Sequence, residues 1–283
     1  MVNGHLWDYL SGGKTTDPPI LMLHGFGSDR ESQMSMMPWL HDKHFCIAPD
    51  LPGFGRNGYG PAQAFTPDFY VAELTAFADA LGLGKFDLVG TSMGGALAAY
   101  FAAKHPERVN RLVLLSPAGL ESEQKNYFMR EVDRGGKPLV IRNESDFDRV
   151  VDLAFDRNPY VPWQFRRWYV DRAVRQQADT MEVIRGMETF LRKGLTDVLP
   201  SIQCPTLVIW GDRDVVIDPG LLKCFVNGIP NSKGVLINDG GHIVSDDCPE
   251  KTRRVMEEFL NGEDTPSLKQ NLIAPTSSPS MRR

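Results

Sequence analysis

Short apolar runs that end in glycine, proline or aspartate alternate along this chain with longer stretches whose apolar residues recur every three or four positions. After "HLWDYL", which reads as a first strand, "PPILMLHGFG" predicts a buried strand from Ile20 to Leu23 and "HFCIAPDLPGFG" another from Phe45 to Ala48. Between them "SDRESQMSMMPWL" reads as helical. From Pro67, "PDFYVAELTAFADALGLG" sets Tyr70, Leu74, Phe77 and Leu81 on one helical stripe, with Gly82 suited to its end. Then follow strand "FDLVG", helix "GGALAAYFAAKHPE", strand "RLVLLSP" and, much later, strands "TLVIWGD" and "GVLIN" and helix "PEKTRRVMEEFL". Continuous apolar strands between amphipathic helices predict an α/β fold, a mainly parallel central sheet flanked by helices on both faces. In such sheets ligands bind at the carboxyl ends of the strands, so the residues just past each strand matter most.

The alternation stops between about Glu121 and Leu199. That stretch is rich in charged and aromatic residues, with helical patterns such as "SDFDRVVDLAF" and "WQFRRWYVDRAVRQQ" and no strong strand. It reads as a helical cap, residues 121–199, inserted into a core formed by residues 1–120 and 200–262. Past Gly262, "EDTPSLKQNLIAPTSSPSMRR" has little to bury, and residues 263–283 read as a disordered tail.

Composition narrows the function classes. The 283 residues are 42% apolar and 24% charged, which describes a soluble globular protein with a sizeable core. A net charge of −5 gives no reason to expect nucleic acid as a partner. No apolar run approaches the length of a membrane span, and "MVNGHLWDYLSGGK" lacks the basic start and apolar stretch of a secretory signal, so the expected location is cytoplasmic. Cys46, Cys204, Cys224 and Cys248 are scattered without metal-ligand spacing, and read as reduced thiols; neither a metal nor an organic cofactor is expected.

The candidate chemistry centres on Ser92. "VGTSMGG" follows a predicted strand and opens a predicted helix, the setting in which a serine is held on a sharp turn with its hydroxyl exposed. A hydroxyl attacks only when a base takes its proton. Of the six histidines, His242 in "NDGGHIVSDDCPE" lies between the last strand and the last helix, on a loop freed by two glycines. The acid that orients it should follow an earlier strand, and "LVIWGDRDVVIDP" offers Asp212, Asp214 and Asp218. Asp214 is the choice, since a loop of that length returns it toward His242; Asp212 suits a turn and Asp218, before Pro219, a helix N-cap. Two backbone N–H groups, from Met93 and from Phe26 in "HGFG", are placed to bind a developing oxyanion. The side chains of Phe26 and Met93 are candidates to line an acyl pocket. Phe128, Phe147, Phe155, Trp163, Phe165, Trp168 and Tyr169 are candidates for an apolar wall in the cap, with Trp163 the chosen substrate contact.

"HGFG", "DLPGFG", "VGTSMGG", "LVLLSPAGL", "VIWGDRD" and "GGH" together resemble the serine-type α/β-hydrolase family, in order and interval, from Gly4 to about Leu260. Within it, "VGTSMGG", "SPAGL" and the helical cap look most like monoacylglycerol-lipase-like esterases. The resemblance implies Ser92 as nucleophile, Asp214 as acid and His242 as base, and it strengthens Asp214 over its neighbours. It implies a cofactor-free hydrolase of short- to medium-chain acyl esters, monoacylglycerols among them, acting through an acyl-enzyme on a small-molecule substrate. Two departures stand out: only one strand is evident where relatives open with two, and Asp246 or Asp247 stands where many carry a glutamate after the histidine. The alternatives are a C–C bond hydrolase acting on ring-cleavage diketones, with Arg166 or Arg167 as its cap cation, and a ligand receptor on the hydrolase fold. Against the former, Ile243 follows His242 where an aromatic residue is expected.

Overall fold

The computed structural model describes residues 1–60 and 63–262; the segment read as a tail, 263–283, lies outside them. Strands β1 (Tyr9–Gly12), β2 (Pro19–Leu23), β3 (Phe45–Pro49), β4 (Phe86–Thr91), β5 (Val109–Leu115), β6 (Thr206–Gly211) and β7 (Ser232–Ile237) form one sheet in the order β1-β3-β2-β4-β5-β6-β7. Only β1 runs antiparallel, against β3; the other neighbours are parallel. All six residues of β4 and of β6 are buried, as the continuous apolar runs require of strands covered on both faces.

Alternate residues divide the core in two. Leu21, Leu23, Leu88, Leu112, Val208 and Trp210 face α2 (Pro67–Ala80), α3 (Met93–Lys104) and α8 (Leu221–Gly228). Ile20, Met22, Val89, Val113, Leu207 and Ile209 face α1 (Met37–Leu40) and α10 (Pro249–Leu260). The expected stripe on α2 is seen: Thr66 caps it by accepting from Phe69 N, Tyr70, Leu74 and Phe77 are buried, and Gly82 follows at φ +67.

Two expectations need correction. "SDRESQMSMMPWL" is not one helix: a 3₁₀ turn over Arg30–Ser35, capped by Asp29, gives way to α1, because Pro38 lacks the N–H that a continuous helix would use there. The first strand starts at Tyr9, later than "HLWDYL" suggests. His5 instead bridges to Val2 and stacks on Tyr59, while Trp7 is buried against Phe77 and donates to Tyr59 Oη at 3.1 Å.

Between β5 and β6, where the alternation stops, the described residues form no strand but four α-helices: α4 (Tyr127–Asp133), α5 (Glu144–Ala154), α6 (Trp163–Arg175) and α7 (Gln177–Lys193). Backbone hydrogen bonds stitch the end of α7 to the loop after β5, Gly119 N to Leu191 O at 2.7 Å and Leu195 N to Gly119 O at 3.0 Å. No helix among the described residues is long and apolar enough to cross a membrane.

One core residue is electrostatically costly. Asp87 sits near the start of β4, 2% exposed, with Oδ1 unpartnered. Burial pushes its carboxyl from 3.8 up to about 6, only partly offset by Arg111. The folded chain therefore holds that proton more tightly than the unfolded chain, and stability is lost as pH rises through about 6. Asp87→Asn is expected to raise unfolding stability by about 1–3 kcal/mol near pH 8, by about half as much near pH 5 and to change it little near pH 3.5, with the gains at pH 8 and pH 5 compared as urea midpoints. A gain of equal size at both pH values would contradict this account.

Candidate active site

Ser92 joins β4 to α3 with φ 54 and ψ −116, a conformation that a side-chain-bearing residue adopts only under constraint. The constraint comes from hydrogen bonding on both sides: Ser92 N donates to Leu115 O at 2.9 Å, and Ser92 O accepts from Ala96 N at 3.0 Å and Ala118 N at 3.1 Å. Gly90 and Gly94 make the turn sterically possible, since a Cβ on Gly90 would collide with the Gly94 carbonyl and one on Gly94 with the carbonyls of Leu23 and His24. The hydroxyl opens into a cavity of about 220 Å³. Met93, the first helical residue, has its N–H among the unpaired donors of the α3 N-terminus.

The loop after β2 lies against the serine: a Cβ on Gly25 would be 3.4 Å from Ser92 Cβ. His24, fully buried, shapes this loop and is not a base. Its Nδ1 lies 2.8 Å from Gly25 O, and its Nε2 accepts from Leu51 N at 2.9 Å, so both ring nitrogens are used. Burial lowers its pKa to about 4 and keeps it neutral. Phe26 packs edge-on against Phe54 at 5.6 Å and lines the cavity beside Ser92 and Met93.

Asp214 and His242 meet across the loops after β6 and β7. His242 Nδ1 lies 2.8 Å from Asp214 Oδ2, in a contact from which water is nearly excluded. The carboxylate is fixed by three further donors, Trp210 Nε1 at 3.0 Å, Val216 N at 2.8 Å and Ile217 N at 2.9 Å. It thus orients the imidazole with Nδ1 protonated, leaving Nε2 as the basic nitrogen. Asp212 instead accepts from Asp239 N, and Asp218 caps its own turn at Gly220 N while pairing with Ser122. Among the described residues Ser92 Oγ makes no hydrogen bond to the imidazole; such contacts are commonly loose before a ligand closes the site. No group of side chains there could hold a metal ion.

Sequence reasoning offered Asp246 or Asp247 as support for the histidine loop and missed the other parts that hold the loops. Asp247, one of the two candidates for the glutamate position, accepts from Gly241 N at 2.8 Å and Asp156 N at 2.9 Å, fastening the histidine loop to the end of α5. Ile243 N adds a bond to Ala154 O at 2.9 Å. From α6, Tyr169 donates to Gly27 O at 2.9 Å, and Arg172 forms a largely buried ion pair with Asp29. Only the "DD" after "GGH" signalled any of this.

The predicted cap wall is mostly not there. Of the aromatic candidates only Phe128 lines the cavity, with Leu120, Met129, Val132, Ile184 and Leu191 supplying the aliphatic surface. Phe147 is buried between α5 and α6. Trp163, chosen as a substrate contact, is 68% exposed on the first turn of α6 and does not reach the cavity. The reason is the way α6 packs: it turns Tyr169, Val170 and Ala173 inward, so its first turn projects into solvent.

Comparisons with known proteins agree with this architecture. A family profile for the alpha/beta hydrolase fold matches residues 18–249. Lipase 3 of Moraxella sp. (strain TA144) is 27% identical over 263 residues, 93% of this chain and 83% of that protein. Monoacylglycerol lipase ABHD6 of Bos taurus is 31% identical over 255 residues, 86% of this chain and 75% of that protein. Among solved structures, a membrane phospholipase A described as a bacterial virulence factor superposes with a TM-score of 0.88 at 32% identity, covering 92% of this chain and 84% of that one.

Asp247→Ala is expected to lower stability by about 2 kcal/mol, because it strands buried N–H donors, and to slow labelling of Ser92 by a fluorophosphonate about tenfold or more through a loosened imidazole. Labelling at the parental rate would show that the histidine loop needs no such support.

Proposed function

The chain belongs to the α/β-hydrolase fold family, and on that premise we propose that it cleaves short- to medium-chain acyl esters, monoacylglycerols among them, through an acyl-enzyme on Ser92. It is a carboxylic ester hydrolase; the proposal concerns its working residues and its esters. The observation that carries it is a serine in strained backbone geometry beside an apolar cavity, with a buried His–Asp pair on the loops after β6 and β7 at the same edge of the sheet.

In this reading His242 Nε2 takes the Ser92 proton as Oγ attacks the ester carbonyl carbon. The carbonyl oxygen becomes an alkoxide bound by the N–H groups of Phe26 and Met93. Collapse expels the alcohol, which leaves with the proton carried by His242. Water, deprotonated by the same nitrogen, then attacks the acyl-enzyme and releases the acid and Ser92. Asp214 stays ionised throughout and stabilises the imidazolium.

The cavity supports an acyl chain of modest length. Its walls are almost entirely aliphatic or aromatic; Lys137, Glu188 and Arg192 are the charged residues among them, with Arg192 paired to Glu121 and Asp133. The C–C hydrolase alternative gains nothing: Arg166 is engaged by Asp148 and Glu144, Arg167 is exposed on the outer face of α6, and neither lines the cavity. Sustained multiple turnover separates the enzyme reading from that of a receptor.

On p-nitrophenyl esters, kcat/KM is expected to rise about fourfold for each added methylene until the cavity is full, at about 0.8 kcal/mol per buried CH₂. Ser92→Ala should abolish turnover, and Asp214→Asn should lower kcat by about 10⁴. Full ester hydrolysis by Ser92→Ala would refute the acyl-enzyme, and turnover confined to a ring-cleavage diketone would refute the ester substrates.

A further inference from the structure

Twelve large hydrophobic side chains are conspicuously exposed among the described residues, and five of them lie between Tyr160 and Val174. Tyr160 is 90% exposed, Trp163 68%, Phe165 65% and Trp168 49%. Isolated exposed hydrophobics need no explanation, but a cluster of aromatics on one short segment does. Along α6, Trp163, Arg167 and Val174 follow at helical spacing, with Trp168 and Arg175 beside them. The opposite side of the helix is occupied by its packing on α5 and on the loop after β2.

Charge indicates what covers this face. Between residues 157 and 175 there are five arginines and a single acid, Asp171, a local net charge of +4 in a chain whose total is −5. Arg166 and Arg172 are spent on internal ion pairs. Arg157, Arg167 and Arg175 are exposed and have no ion-pair partner among the described residues. Tyrosine and tryptophan beside unpaired arginines suit an anionic lipid interface, where the rings enter the headgroup boundary and the guanidinium groups meet phosphates. A uniformly acidic surface would be repelled there; this patch reverses the sign locally.

We propose that the outer face of α6, with the loop that leads into it from Arg157, docks on the surface of an anionic lipid bilayer. The placement is useful: the segment starts beside Asp156, which Asp247 holds against the histidine loop, and ends where α7 begins, the helix whose Ile184 and Leu191 line the cavity. Docking would thus set the cap and the cavity at the lipid boundary. The proposal concerns binding alone and stands or falls independently of the acyl-enzyme reading.

The test is co-sedimentation of the full chain, carrying Ser92→Ala to keep lipids intact, with phosphatidylcholine vesicles containing about 30% phosphatidylglycerol or none. Binding is expected to the anionic vesicles only, to weaken with added salt, and to shift the tryptophan emission to shorter wavelength. Tyr160→Ser/Trp163→Ser and Arg167→Glu/Arg175→Glu should each weaken binding about tenfold or more. In the Ser92 background the same pairs should leave turnover of a soluble ester unchanged, which verifies their folding. Protein left in the supernatant with both vesicles would overturn the proposal, as would binding insensitive to both variant pairs. Concentration-dependent dimerisation abolished by these variants, without vesicle binding, would assign the face to a second copy instead.

Discussion

Ser92 holds a side chain at φ 54, at a cost of order 1–3 kcal/mol, and the surroundings are arranged so that it cannot relax. Its N–H extends the β4–β5 ladder to Leu115, while its carbonyl is shared between the first turn of α3 and Ala118 beyond β5. Releasing the strain would mean moving α3, whose Ala96, Leu97, Ala98 and Ala99 are entirely enclosed in the larger half of the core. The hydrophobic packing of a whole sheet layer thus maintains one unfavourable dihedral, and the hydroxyl stays at the sheet's carboxyl edge. Every other part of the site is placed relative to that fixed point.

The two loops that complete the site are held by different chemistry. The histidine loop and the acid loop are joined by buried polar contacts, in which Asp214 satisfies four donors, a density that leaves the carboxylate no alternative geometry. The loop after β2 is fixed from beneath by neutral His24, which spans Gly25 O and Leu51 N. Protonating His24 would break the contact with Leu51 N, because a protonated nitrogen cannot accept. Its lowered pKa is therefore part of what keeps the loop in place.

The core was legible because its signals are local. Continuous apolar runs mark strands buried on both faces, and small residues around Ser92 mark a turn where backbones nearly touch. The pairing of Asp214 with His242 was read from loop length together with the family resemblance, which favoured Asp214 over Asp212 and Asp218. The cap was legible only as a region that broke the pattern. Aromatic content suggested a pocket wall, yet α6 buries a tyrosine, a valine and an alanine and leaves Trp163 and Trp168 outside, while aliphatic residues of α4 and α7 line the cavity. Which face of a helix turns inward depends on long-range partners such as Gly27 and Asp29, 142 or so residues away in the case of Tyr169, and composition carries no record of them.

Those partners also mean that the cap is not a separable substrate filter. One continuous stretch, from the end of α5 through α6, touches both loops: Ala154 and Asp156 bind the histidine loop, and Tyr169 and Arg172 bind the loop after β2. The Arg172–Asp29 pair is mostly dehydrated and Arg172 also lies over the rings of Trp168 and Tyr169, so removing either charge would strand the other at a cost well above that of a surface pair. A displacement of α6 must therefore be transmitted to the loop after β2, through Gly27 and Asp29. The stretch that ties these two loops together includes the helix whose outer face carries the exposed aromatics.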